Sequence, residues 1–384
     1  MWWLLAAVLL IQFDLQNLLA LWRGWVLDPT EEVSRDFTLV VPVYGHPSYL
    51  RNLDFLKTLR ANVVIGLDIG EPVMKTYAQE LAREGWRVHL TDLGEDVGPD
   101  SIVQVVLMDG AITSKWVVRM DADTYAIDDL GRAVAAAERA DAHMCSVKCF
   151  VARPSNFVET LQQVEYAMAM LTRHFRPWMT SGACIIATAD AYRSVLLRHS
   201  LTFGTWGGDM ETGQIAKHLR MKVRHIDFPV YTEVPSTWAA LFQQRTVWWA
   251  AGFRTVAINI DSALRMPLYL AYYLGLVWLG VYWKFVGGVK LGSVPYYIPS
   301  LMLLYTAICF ATNWPARSRW MLFFPYYSLL QVTLMPVVGG IWCVTYTIRR
   351  RKNPRFKIGF RRGRYLTPSV ARMQRRTFDR SAFR

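Results

Sequence analysis

Short apolar runs alternate with stretches of helical period through the first two thirds of the chain. Residues 37–43 (FTLVVPV), 62–68 (NVVIGLD), 86–90 (WRVHL), 115–121 (KWVVRMD), 143–150 (HMCSVKCF), 182–188 (GACIIAT) and 222–228 (KVRHIDF) are largely continuous apolar runs. Runs of this length predict strands covered on both faces. Between them, 47–60, 72–84, 100–112, 128–140, 155–174 and 208–220 carry apolar residues at helical spacing. The alternation predicts an open α/β sheet, in which functional groups gather beyond the carboxyl ends of the strands.

The pattern then changes. Ser236–Asp261 lacks Pro and mixes apolar with polar positions, which predicts an amphipathic helix at a membrane surface. Met1–Trp22 is nearly uncharged, and further apolar blocks cover 266–286, 293–312 and 320–348. Each reaches the ~20 residues that cross a bilayer core. Met1–Trp22 has neither the basic start nor the small-residue cleavage site of a signal peptide and reads as a retained anchor. The block 320–348 contains Pro325, Pro336, Gly339 and Gly340, and at ~43 Å as a helix it is too short to cross twice. It is expected to be broken, re-entrant or partly interfacial. The predicted organisation is an anchor at 1–27, an α/β domain at 34–235, an interface helix at 236–262, transmembrane or re-entrant helices at 265–348 and a basic tail at 349–384.

Composition strengthens the membrane reading. Hydrophobic residues make up 53% of the 384 and sixteen are Trp, rich for a protein with no lipid contact. The formal charge is +13, and residues 349–384, with fourteen Lys or Arg against one Asp, carry all of it. A basic cluster just after apolar segments points to anionic lipid and a cytosolic tail, as do Arg317 and Arg319 between two of the blocks. No nucleic-acid recognition motif accompanies it, so no nucleic-acid partner is expected. The five cysteines form no C-x-x-C; reduced thiols in a cytosolic domain fit, and a structural zinc site does not.

The chemistry concentrates where the run WVVRM delivers Asp121 and Asp123. Residues two apart on a strand face one side, so both carboxylates can serve one site. Close carboxylates repel unless a cation lies between them, and oxygen ligands with spare positions suit Mg²⁺ or Mn²⁺. A solvated acidic loop is the plain alternative. The D-x-D-x-T/V motif of aspartyl-phosphate phosphatases is not matched, because Tyr125 stands at its last position. Asp209 and Glu211 open a predicted helix after Gly207-Gly208, where acids also serve as ordinary dipole partners. Thr180-Ser181-Gly182 is a small-residue turn entering a strand, and Gln244 and Trp248 lie four apart on one helix face.

Together VVPVYG (40–45), GLDIG (66–70), DADT (121–124), TSGA (180–183), WGGD (206–209) and QRTVW (244–248) resemble the membrane-embedded family-2 glycosyltransferases, the group of hyaluronan, chitin and cellulose synthases. The resemblance covers about residues 36–260. It implies an α/β GT-A type (Rossmann-like) cytosolic catalytic domain plus an α-helical transmembrane region. The implied activity is a metal-dependent, inverting hexosyl transfer from a nucleotide sugar, with UDP the family's usual nucleotide, to a glycan or glycolipid acceptor. By the motif match Tyr44 and Asp68 contact the nucleotide. Asp123 ligates Mg²⁺ or Mn²⁺ with Asp121, which also contacts the nucleotide. Asp209 is the general base, with Glu211 its rival. Gln244, Trp248, Ser181 and Gly182 face the acceptor.

Three departures stand out. Val247 replaces the Arg of Q-x-x-R-W, leaving Arg245 as the candidate for the diphosphate. The basic residue expected some twenty positions before D-x-D falls near Ser101, where none stands. Ile69 replaces the second Asp of Asp-Asp-Gly. The donor pocket is therefore expected to be less basic than in the family. Polysaccharide synthesis, a single transfer to a lipid-linked acceptor, and a membrane scaffold or transporter with a degenerate transferase domain are the alternatives. The expected location is the cell membrane, multi-pass, with the catalytic domain and tail cytosolic.

Overall fold

The structure is a computed structural model that describes residues 17–21, 23–93, 98–199, 207–264, 266, 294–316 and 318–350. The expected anchor before residue 17, most of the apolar block 266–286 and the tail beyond residue 350 lie outside the described residues. The chain divides into two compact units.

One unit, Trp25–Phe150 with Pro177–Glu233, is built on a mixed sheet. Its strands are β1 Val26–Leu27, β2 Phe37–Val43, β3 Val63–Asp68, β4 Val88–Thr91, β5 Trp116–Met120, β6 Thr124–Ala126, β7 Met144–Val151, β8 Cys184–Thr188 and β9 Val223–Thr232. Their order is β1-β9-β7-β8-β5-β2-β3-β4, with β6 paired to β9. Strands β4, β3, β2 and β5 are parallel. Strand β8 enters antiparallel to β5, with Met120 opposite Cys184. Every residue of β2, β3 and β5 is buried, as continuous apolar runs require when both faces are covered.

Helices α1 Leu53–Thr58, α2 Pro72–Arg83, α3 Pro99–Met108, α4 Leu130–Arg139, α6 Ala189–Leu196 and α7 Gly208–His218 belong to this unit. Their starts follow local chemistry. Pro72 and Pro99 occupy first-turn positions where no N–H is needed. The Asp129 side chain accepts from Gly131 N, and Thr188 Oγ1 from Ala191 N. Gly66 lies under α3, where a Cβ would approach Ile102 Cγ2 to 2.6 Å.

The other unit contains 151–176 and 234–352. Its helices are α5 Phe157–Phe175, α8 Trp238–Ile258, α9 Val294–Thr312 and α10 Phe324–Arg350. Asn156 caps α5 and Thr237 caps α8. Helices α8 and α10 meet closely at Gly339, where a Cβ would lie 2.7 Å from Trp249 Cβ.

The expectation of transmembrane helices is overturned. Among the described residues, no helix is long and apolar enough to cross a membrane. Many of the apolar residues that suggested spans instead build a core: Met321, Phe324, Tyr327, Tyr305 and Cys309 pack with Val158, Leu161, Val164, Met168 and Leu241. A count of apolar residues does not distinguish a helix facing lipid from one facing other helices. The block from Trp320 begins with a short 3₁₀ turn, then runs as one helix, α10, through Pro336.

Candidate active site

The acids of the D-A-D turn sit immediately beyond β5, at the carboxyl edge shared by β2, β3 and β5. The turn is tied down from α1. Arg51 N and Asn52 N donate to Ala122 O at 2.8 and 3.1 Å. Asn52 Nδ2 donates to Asp121 O at 3.1 Å and to Thr124 O at 2.5 Å. Asp123 Oδ1 accepts from Thr232 Oγ1 at 3.2 Å and Thr124 Oγ1 at 3.3 Å. Burial raises the Asp123 carboxyl above its usual range, against the pull of these two hydroxyls.

Behind the turn stands a residue the sequence did not advertise. Arg119, on β5, is 1% exposed. Its Nη2 lies 2.9 Å from Asp121 Oδ1, and its Nε lies 3.6 Å from Asp100 Oδ1, in the first turn of α3. Burial works against the guanidinium charge, but Asp121 and Asp100 outweigh it and raise its pKa. Arg119 thereby places a sealed positive charge two positions before Asp121. Near Ser101, where a basic residue was expected, Asp100 stands as an acid.

The Thr180–Ala183 segment links this cluster to α7. Gly182 N donates to Asp209 Oδ2 at 3.0 Å, Met210 N donates to Asp209 Oδ1 at 2.9 Å, and Thr180 Oγ1 donates to Asp209 O at 2.5 Å. Asp121 N donates to Ala183 O at 3.2 Å. Ser181 turns its hydroxyl onto its own segment, accepting from Ala183 N at 3.3 Å. A Cβ on Gly182 would lie 2.8 Å from Arg119 Nη1 and 3.2 Å from Asp121 Oδ2. A Cβ on Gly208 would come within 1.8 Å of Asp100 Oδ2. Gly207 enters α7 with φ +74, a conformation Gly adopts without a steric cost.

The electrostatics follow from this crowding. Asp121 keeps 35% of its side chain open to solvent, yet its pKa is pushed up to about 7. Its burial among protein groups is the main cause; Arg119 pulls it down, and Asp123 and Asp209 push it up. Burial, then the Asp100 charge, raises Asp209, with Arg119 again opposing. Asp121, Asp100 and Asp209 share the one Arg119 cation, and that deficit of positive charge is what a divalent ion would relieve. Mg²⁺ and Mn²⁺ take one or two carboxylates together with phosphates and water, so Asp121 and Asp123 fit such an ion. Among the described residues, no group of three or more His, Cys, Asp or Glu is placed to hold a metal.

The remaining expected residues fall as follows. Asp68 ends β3 and is buried; its Oδ1 accepts from Leu93 N at 3.0 Å and Thr91 Oγ1 at 3.4 Å, and burial raises its pKa. Tyr44 follows β2 and is exposed. Glu211, the rival base, is only 1% exposed, so its carboxylate is closed to an incoming hydroxyl. In the helical unit, Gln244, Arg245 and Trp248 lie on α8. Trp248 is 43% exposed, whereas Arg245 is 1% exposed and ion-paired to Glu165 at 2.6 Å. The diphosphate role expected of Arg245 is therefore corrected: its guanidinium is spent inside the bundle.

A family model described as glycosyl transferase family group 2 matches residues 116–344, more than half of the chain. This chain belongs to that family. The matched span of this glycosyltransferase runs from the start of β5 into α10. Among solved structures, it is similar to mannosyltransferase PcManGT from Pyrobaculum calidifontis in complex with GDP-Man and Mn²⁺. The identity is 16% over 88% of this chain and 94% of that one, with a TM-score of 0.47. S. aureus TarS 1–349 gives 13% identity over 84% and 94%, TM-score 0.40. Glucosyl-3-phosphoglycerate synthase from Mycobacterium tuberculosis, in complex with Mn²⁺, UDP and phosphoglyceric acid, gives 13% over 57% and 78%, TM-score 0.38. These likenesses are distant, and the family assignment rests on the matched model. No curated protein matches the sequence.

Proposed function

We propose that this glycosyltransferase moves a sugar from a nucleotide-sugar donor to a hydroxyl acceptor with inversion, aided by Mg²⁺ or Mn²⁺. The observation that carries the reading is the gathering of Asp121, Asp100 and Asp209 around Arg119 at the carboxyl edge of parallel strands. Asp123 and Asp121 would hold the metal, which supplies charge neutralisation to the departing diphosphate. Asp68 and Tyr44, at the ends of β3 and β2, receive the nucleotide. Asp209, fixed by the Gly182 and Met210 amides, takes the acceptor proton. Its raised pKa brings it nearer the working pH, where a general base is most effective. Attack opposite the leaving group inverts the anomeric carbon. The exposed ring of Trp248, beside Gln244, offers an apolar platform to acceptor sugar.

The donor is read as UDP-linked and the acceptor as a glycan or glycolipid at the cytosolic face of a membrane, on the family resemblance and on the charge of the C-terminal residues. A screen of nucleotide sugars with Mn²⁺ or Mg²⁺, following nucleoside diphosphate release, tests the reading. Turnover should vanish in Asp123→Ala and Asp209→Asn. Full activity in both variants would overturn it. Product size then separates single transfer from polymerisation.

A further inference from the structure

Arg245 and Trp248 lie one turn apart on α8, on the same side of the helix. The guanidinium carbon of Arg245 is 4.0 Å from the Trp248 ring centroid. The two residues differ sharply in environment: Arg245 is sealed in the bundle, whereas the indole is open to solvent. Arg245 is itself held. Its Nη2 donates to Glu165 Oε2 at 2.6 Å and its Nη1 donates to Gln244 Oε1. Glu165, on α5, also accepts from Tyr327 OH at 2.8 Å and from Gln331 Nε2 at 3.3 Å, both on α10. Tyr166 flanks the indole with its ring centre 6.3 Å away.

Helix packing alone does not call for such a group. A buried ion pair contributes little net stability compared with well-packed apolar residues. What this one does have is a cation lying against one side of an exposed ring. We infer that Arg245 is a positioning residue for Trp248: Glu165, Tyr327 and Gln331 fix the guanidinium, and the guanidinium fixes the indole. The opposite ring face is then presented in one orientation, and a sugar ring docking there does not have to order the side chain first. The inference deepens the reading of Trp248 as the acceptor platform and rests on it for its functional meaning. The positional claim can be tested without that reading.

Hydroxyl-radical footprinting of the full chain, read by mass spectrometry at each Trp, is the test. A cation–π contact of this kind holds a ring by an amount worth about 2- to 10-fold in population. Arg245→Met and Glu165→Gln should raise oxidation of Trp248 by about that factor. Trp238, exposed on the same helix, should be unchanged. Arg245→Lys, which keeps a cation without the planar fork, should fall between wild type and Arg245→Met. A purely structural role for Arg245 would lower the melting temperature and leave the Lys variant no better than Met. Unchanged Trp248 oxidation in Glu165→Gln, the milder variant, overturns the inference even if Arg245→Met unfolds. Millimolar chitotetraose, cellotetraose or octyl glucoside should protect Trp248 in the wild type. Absence of protection by all three would sink the acceptor-platform reading and leave the positional result standing.

Discussion

Arg119 and Asp121 leave β5 two residues apart and meet as an ion pair at 2.9 Å, Nη2 to Oδ1. The pair joins a buried strand residue to the acid of the D-A-D turn, and Asp100 approaches the same guanidinium from α3. Replacing Arg119 by Met removes the buried cation of this cluster and leaves Asp121 and Asp100 facing each other. Such a loss costs about 3–5 kcal/mol when a buried partner is left uncompensated. Urea unfolding should show a shift of that order, and transferase activity should be lost. Arg119→Lys should fall between, because it keeps the charge without the planar fork.

The raised pKa of Asp121 has a signed consequence for stability. An Asp near 3.9 when unfolded and about 7 when folded takes up a proton on folding between those values. Its protonation therefore contributes stability fully below about pH 4, and that contribution is lost as pH rises to about 7. With metal chelated, the melting temperature of the wild type should fall more steeply across this window than that of Asp121→Asn. Saturating Mn²⁺ should reverse the difference at pH 7. Identical profiles for the two proteins would contradict the assignment.

Thr232 reaches Asp123 from β9 with a hydroxyl at 3.2 Å. If Asp123 holds the ion, Thr232→Val leaves the carboxylate less well oriented. Removing a partner of a metal ligand weakens metal affinity by about 10- to 100-fold. The Mn²⁺ concentration for half-maximal turnover should rise accordingly, with the maximal rate at saturating metal largely restored.

Two glycines are space-critical at the site. Gly208→Ala would drive a methyl group to 1.8 Å from Asp100 Oδ2, and Gly182→Ala would meet Arg119 Nη1 at 2.8 Å. Overpacking of this kind costs about 1–3 kcal/mol. Both variants should lose activity beyond what thermal melting accounts for, because each displaces a carboxylate of the site.

In the helical unit, Gly339→Ala places a methyl group 2.7 Å from Trp249 Cβ and 3.0 Å from Ala250 N. Helices α8 and α10 must separate to admit it. Chemical unfolding should report a loss of about 1–3 kcal/mol.

Much of the sheet is legible in the sequence because its strands are uninterrupted apolar runs. The run 37–43 coincides with β2, and 63–68 falls inside the run expected at 62–68. The short strand β6 and helix α6 escape notice, since three residues and eight residues leave little periodicity to read. Asp121, Asp123 and Asp209 are visible through motif spacing. Arg119 is not, because one Arg within an apolar run shows nothing of its partners. Asp100 likewise looks like any acid in a first helical turn. Arg245 and Gln244 both stand near Trp248 by helical spacing; only burial reveals which of them turns inward. The apolar blocks 293–312 and 320–348 misled for a related reason: hydropathy records what a side chain avoids, not which neighbours replace water.

The antiparallel entry of β8 has a consequence for which insertions the chain can tolerate. Because Cys184 is registered against Met120, the connection from α5 into β8 must deliver the Gly182 amide beside Asp209 at a fixed chain length. One residue more or less there would pull the Gly182 amide off Asp209, and a strand that slipped by one residue to compensate would send its core side chains to the opposite face. Length variants of the protein should therefore leave the stretch at 177–183 constant.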